Sequence, residues 1–149
     1  MDWVNAIVQG VLLGGLYALF AAGLSLIFGV MRLVNIAHGD IIILGAYLGL
    51  TTTSILGIHP LMSLVVVVPL MALLGYCLQR GILNSTLGDD LLPPLLVTFG
   101  LSVILQNSLL ELYSADPLKL NAGIIETASI KVGSLAIGVL PILMFFTAI

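Results

Sequence analysis

The chain has 149 residues, of which 60% are hydrophobic and 7% are charged, and its formal net charge at pH 7 is -3. A soluble domain carries roughly 25% charged residues, so this composition excludes an ordinary water-soluble domain and predicts an integral membrane protein. The few charges form no basic patch for nucleic acid, and the sequence contains no Gly-rich phosphate loop ending in Gly-Lys-Ser/Thr, so it predicts no ATPase site of that type.

Polar segments interrupt the apolar sequence rarely, and each uninterrupted run predicts a membrane-spanning helix, because about 20 apolar helical residues cross a bilayer core. The runs are continuous and do not alternate, which disfavours membrane β-strands. The single cysteine, Cys77, excludes an internal disulfide. The predicted fold is therefore all-α, a polytopic transmembrane bundle, with spans at about 5–31, 37–56, 61–79, 92–112 and 132–149.

Small residues recur at four-residue spacing in the first span and again in the second. Such a face lets helices approach closely, and dispersion contacts between their backbones then hold them together in lipid. We therefore predict helix packing through these residues, while the first-span face could also line a permeation path. The residues are Gly10, Gly14, Ala18 and Ala22 in the first span and Gly45 and Gly49 in the second.

The segment from Arg32 to Asp40 places a cation, an amide, an imidazole and a carboxylate within nine residues, between two long apolar runs. Charge at membrane depth is costly, which makes the segment a functional candidate. In one geometry it is a short loop, with Asn35 and His38 tying the turn. In the other, Gly39 breaks a helix deep in the membrane and Asp40 lies at a helix N-terminus, where the dipole favours a carboxylate.

His38 and Asp40 also fit a general base with an orienting carboxylate. The local sequence offers no Ser or Cys nucleophile and no second histidine at metal-ligand spacing, so we predict neither a catalytic residue nor a metal site. The other histidine, His59, precedes Pro60 and is typical of a turn.

A polar stripe runs along the fourth span. Thr98, Ser102 and Gln106 follow one another at four-residue spacing, and Asn107 lies beside them. Lipid offers no hydrogen-bond partners, so we expect the stripe to face the bundle interior. It would serve either as interhelical hydrogen bonding or as contact with a hydrated solute pathway.

Several stretches of this sequence resemble the start of the branched-chain amino acid permease family of bacterial ABC importers, whose relatives include urea and amide permeases. The Asn-x-Ala-His-Gly-Asp signature follows an aromatic-Gly turn, and a fourth-span motif comes later. The stretches are Gly14–Leu19, Leu26–Met31, Val34–Asp40, Leu44–Tyr47, Phe99–Ser102 and Leu105–Asn107.

The resemblance implies a multi-pass subunit of the bacterial inner membrane, without a cofactor. Its expected partners are a second permease subunit in a homo- or heterodimer, cytoplasmic ATP-binding subunits and an extracytoplasmic substrate-binding protein. It also implies that residues 1–149 are the N-terminal, incomplete part of one permease domain.

The candidate pathway or gating residues are Asn35, His38, Gly39, Asp40, Ser102, Gln106 and Asn107. A non-transporting membrane scaffold, in which these polar residues serve only helix packing, is the alternative.

Overall fold

The computed structural model describes residues 2–86, 88, 90–113, 129–132 and 135–138. Within them lie four long helices: α1 (Asp2–Met31), α2 (His38–Leu56), α3 (Pro60–Gly81) and α4 (Leu92–Tyr113). A 3₁₀ turn at Leu83–Ser85 follows α3, and two strands, β1 (Ser129–Val132) and β2 (Leu135–Gly138), pair antiparallel. The chain divides into two compact units, one containing most of α1 and the strand pair, the other spanning Ile27–Leu120.

All four long helices are long and apolar enough to cross a membrane, which confirms the predicted helical spans up to Tyr113. Their large apolar side chains are mostly exposed; Val65, for example, is 77% exposed. An apolar surface of this extent is unsuited to water but matches the hydrocarbon core of a bilayer. The chain is therefore a multi-pass membrane protein.

The fifth predicted span, 132–149, differs from the structure where the structure describes it. Val132 ends β1 and residues 135–138 form β2, in a register that pairs Val132 with Leu135 and Ser129 with Gly138. Apolar character alone does not separate a short strand from a helix. The rest of this predicted span lies outside the described residues.

The helix ends follow from local sequence. The φ angle of Arg32 is 53°, in the left-handed region, and its N–H donates to the Phe28 carbonyl at 2.9 Å, which ends α1. Gly57, with φ 62°, ends α2 in the same way through a 3.0 Å bond to the Thr53 carbonyl. His59 caps α3, as its Nδ1 accepts from the Leu61 N–H at 3.3 Å. The turn predicted around His59 is thus present.

Small residues bring α2 against α3. A Cβ added at Gly45 would lie 3.6 Å from Met71 Cε, and one added at Gly49 would lie 4.0 Å from Ser63 Oγ. The buried Ser63 hydroxyl donates to the Pro60 carbonyl at 2.7 Å, so it brings no unpaired polar group into this contact. Gly45 and Gly49 therefore lie at a helix–helix contact.

The corresponding face of α1 differs. Among the described residues, nothing lies within 4 Å of a Cβ added at Gly10 or Gly14, and Ala18 and Ala22 are exposed. Helix packing through these four residues therefore stays a prediction.

Candidate functional site

Six non-helical residues, 32–37, join α1 to α2. Asn35 ties this connection, because its Oδ1 accepts from the Ala37 N–H at 3.0 Å and its carbonyl accepts from the His38 N–H at 3.2 Å. The structure combines parts of the two expected geometries: the connection is a short loop, and Asp40 lies in the first turn of α2. Gly39 was expected to supply the break, but it lies inside α2. The break comes at Arg32, where α1 ends.

The connection is held against α4 by Thr98, whose side chain is 0% exposed. Thr98 Oγ1 accepts from the Ile36 N–H at 3.3 Å and lies 3.4 Å from the Val34 carbonyl and 3.1 Å from the Leu95 carbonyl, between which its single proton is shared. Non-helical backbone in an apolar environment needs such partners, because its own N–H and C=O groups are unpaired. Thr98 stood in the predicted polar stripe but not among the site candidates.

Three of the predicted site residues form one hydrogen-bonded group, the Asp40 cluster of Asp40, Ser102 and Gln106. Ser102 Oγ donates to Asp40 Oδ2, and Gln106 Nε2 donates to Asp40 Oδ1 at 3.1 Å and to Ser102 Oγ at 3.2 Å. Asp40 is 8% exposed and Ser102 is 6% exposed, whereas Gln106 is exposed. The cluster therefore extends from a buried carboxylate to the surface of the described chain.

The position of Asp40 explains how a carboxylate is accommodated there. Burying a charge is expensive unless hydrogen bonds or opposite charge compensate it. Both donors to Asp40 are neutral side chains, and the first turn of α2 adds the positive end of the helix dipole. Each of these features offsets part of the cost of burying the carboxylate without supplying a full positive charge.

Asn107 was predicted to share this site, but the structure places it elsewhere. Its side chain is exposed, and its Nδ2 donates to the Val103 carbonyl of its own helix at 2.7 Å. Asn107 lies one residue beyond Gln106, about 100° around a helix with 3.6 residues per turn, which carries it out of the α2 contact.

A further contact between α2 and α4 involves residues that the sequence had not identified. The Tyr47 and Tyr113 rings stack with centroids 4.3 Å apart and an interplanar angle of 25°. Thr51 Oγ1 lies 2.6 Å from Tyr113 Oη and donates to the Tyr47 carbonyl at 2.9 Å. Asp40, Tyr47 and Thr51 are seven and four residues apart, the spacing of one helix face, so this stripe was a signal available in the sequence.

These contacts make up one interface with a consistent direction. Thr98 meets the connection before α2, Ser102 and Gln106 meet the start of α2, and Tyr113 meets its later turns. Since contacts advance along both helices together, α2 and α4 are parallel. We call this set of contacts the polar interface.

The catalytic interpretation of His38 and Asp40, as a general base with an orienting carboxylate, gains no support from the Asp40 cluster. The Ser102 hydroxyl donates directly to the Asp40 carboxylate. A serine triad instead requires a histidine between the carboxylate and the nucleophile. Among the described residues, no group of three or more His, Cys, Asp or Glu side chains could hold a metal ion.

Comparison with known proteins identifies the family. The family model described as "Branched-chain amino acid transport system / permease component" matches residues 6–117, most of the chain. The chain belongs to this family. The matched range includes α2, α3, α4 and the whole polar interface of this permease-family chain.

Individual relatives agree with the family match. Over 120 residues, the permease-family chain is 29% identical to BraD of Pseudomonas aeruginosa, a high-affinity branched-chain amino acid transport system permease protein, covering 72% of the chain and 38% of BraD. It is 27% identical over 107 residues to LivH of Escherichia coli K12, which carries the same description, covering 66% of the chain and 35% of LivH. The chain thus spans little more than a third of the length of these relatives. No solved structure gives a significant match.

Proposed function

We propose that this chain is part of the permease subunit of a bacterial ABC importer in the inner membrane, and that it moves branched-chain amino acids or related small polar solutes such as urea and amides. The observation that carries the proposal is the Asp40 cluster. A buried carboxylate is shared between two parallel membrane-spanning helices and connected through Gln106 to the surface of the described chain. Ionisable groups in membrane helices are rare and usually mark a solute path or its gate.

The cluster would act as a gate through exchangeable hydrogen bonds. Ser102 and Gln106 hold Asp40 through neutral donors, and a passing polar solute or water molecule offers donors of the same kind. Exchange of donors would let α4 move relative to the start of α2 without leaving the carboxylate unpaired. In this proposal Asn35 and Thr98 keep the connection before α2 in position during the movement.

The proposed assembly contains a second permease subunit, cytoplasmic ATP-binding subunits and an extracytoplasmic binding protein. Family membership supports these partners. The exposed polar side chains of α4 support a further contact, because Gln106 and Asn107 lie within a membrane-spanning helix. Lipid cannot satisfy their hydrogen-bonding groups, so we expect protein or water to cover these side chains.

Uptake of labelled L-leucine by the full-length permease, assembled with its partner subunits in proteoliposomes, tests the proposal. We expect Asp40→Asn and Gln106→Leu to lower ATP-driven uptake, while Ser108→Ala, an exposed change on the same helix, leaves it unchanged. The amount of assembled complex is measured in parallel. If both cluster variants take up L-leucine at the wild-type rate, the gating role is excluded.

The scaffold alternative has one observation in its favour, since the three cluster side chains bond to one another. It predicts that wild-type complexes assemble but do not move the solute. The same proteoliposome measurement therefore separates the two functions.

A further inference from the structure

A cavity of about 240 Å³ lies within the Ile27–Leu120 unit, next to the connection between α1 and α2. Its apolar walls include one side chain from each of the four long helices: Met31, Ile41, Leu78 and Leu101. Clefts for drug-sized ligands measure roughly 300–1,000 Å³, so this cavity has the size for a smaller molecule.

Polar side chains from two elements also line the cavity. Asn35 and His38 come from the signature segment, and Gln79 comes from α3. Asn35 is 7% exposed, and its Oδ1 is occupied by the Ala37 N–H, while its Nδ2 donates to no other described residue. Gln79 Nε2 donates to Asn84 Oδ1 at 2.9 Å, which leaves Gln79 Oε1 as an acceptor. One amide donor and one amide acceptor therefore remain for a ligand.

We propose that this cavity binds the solute of the proposed function, a branched-chain amino acid. The aliphatic group would occupy the space between Ile41, Leu78 and Leu101. The carboxylate would accept from Asn35 Nδ2, and the ammonium group would donate to Gln79 Oε1. This inference rests on the proposed function and assigns a binding site separate from the Asp40 cluster, since Asp40, Ser102 and Gln106 do not line the cavity.

Gly75 contributes to the room available. It lines the cavity, and a Cβ added there meets nothing within 4 Å among the described residues. A larger side chain at this position would therefore enter the space that the solute needs. Gly81, six residues later on the same helix, also has nothing within 4 Å of an added Cβ and does not line the cavity. The two glycines form a matched pair for substitution.

Protection from thiol modification tests binding directly. In the full-length complex carrying Cys77→Ser, we introduce Leu101→Cys in the cavity and, separately, Leu112→Cys on the exposed surface of α4. L-Leucine at about ten times its Kd should slow modification of the cysteine at position 101 by N-ethylmaleimide about tenfold, through occupancy alone. Glycine should not protect position 101, and neither amino acid should protect position 112.

The size of the cavity gives a second test. Gly75→Leu should lower L-leucine uptake by about tenfold or more, because lost room for even one methylene changes selectivity by about 10–200-fold. Gly81→Leu should transport at the wild-type rate. Complex assembly is measured for both variants, and the protection experiment still tests the cavity where Gly75→Leu does not assemble.

The outcomes separate the inference from the proposed function. If the wild-type protein takes up leucine but leucine does not protect the cysteine at position 101, the cavity assignment is overturned and the transport function stands. Protection without uptake supports the cavity and refutes transport. Equal protection by a short-chain detergent in place of leucine would identify an acyl-chain cavity and would also overturn the assignment.

Discussion

The Asp40 cluster predicts a measurable coupling between α2 and α4. Ser102→Ala removes one of the two side-chain donors to a carboxylate that is 8% exposed. In Asp40→Asn the charge is absent, so loss of the same hydroxyl should matter less. A double-mutant cycle on these two positions isolates the difference, because it cancels effects that each substitution has alone.

The magnitude follows from the charge and the setting. A hydrogen bond to a charged group contributes about 1.5–3 kcal/mol in proteins. Side-chain hydrogen bonds between membrane helices average about 0.6 kcal/mol with a maximum near 1.7, because the unfolded chain in a membrane also finds partners. Gln106 still donates to Asp40 after the serine is removed, which limits the loss. We therefore expect a coupling free energy of about 1–1.7 kcal/mol.

The assay is the free energy of unfolding of the full-length permease in mixed micelles, measured for the wild type, both single variants and the double variant. Pairs without interaction add within about 0.3–0.5 kcal/mol. Additivity within that margin would refute the claim that the hydrogen bond from the Ser102 hydroxyl to Asp40 stabilises the protein. A matched cycle of Asp40→Asn with Ser108→Ala, an exposed serine on the same helix, should be additive.

Three further predictions concern single contacts, each measured as the free energy of unfolding in the same micelles. Thr98→Val should cost about 1–3 kcal/mol, because a buried backbone N–H loses its acceptor, whereas Thr98→Ser should cost less; equal costs would contradict this. Gly57→Ala should cost about 1 kcal/mol, because φ there is 62°, and Gly100→Ala, inside α4, should not destabilise. Tyr113→Phe should cost about 0.5–1.5 kcal/mol, because the hydrogen bond to Thr51 is lost. Tyr113→Ala should cost more, since it also removes the ring stacking with Tyr47. Equal costs would show that the stacking adds nothing.

The helical spans up to Tyr113 could be predicted because a bilayer imposes a simple rule, about 20 apolar residues between charges. The rule fails at 135–138, where four apolar residues form a strand, because apolar character alone does not separate a short strand from a helix. The spacing of polar residues predicted that one face of α4 points inward. It could not predict that Asp40 meets Ser102. The two residues are 62 positions apart in sequence, and their contact depends on the parallel arrangement of α2 and α4.

Residue type explains which site residues were missed. In the sequence, Thr98 looks like any other hydroxyl residue of a helix interior. Only the structure shows that its partners are backbone groups of the connection before α2. Tyr47 and Tyr113 are amphipathic and suit both an interior and an interface, so hydropathy does not place them. Asn107 was predicted from its neighbour Gln106, but a one-residue step on a helix changes the face.

The two contact surfaces of α2 differ in how they can respond to movement. Toward α3, Gly45 and Gly49 allow close approach, and the attraction there is dispersion, which weakens steeply with separation. Toward α4, the contacts are hydrogen bonds and one ring stack, and hydrogen bonds can exchange their partners for water or a polar solute. Separation of α2 from α3 would thus lose close packing that lipid chains replace only in part, whereas displacement at the polar interface can be compensated. We therefore propose that the gate lies between α2 and α4, with α2 and α3 moving together.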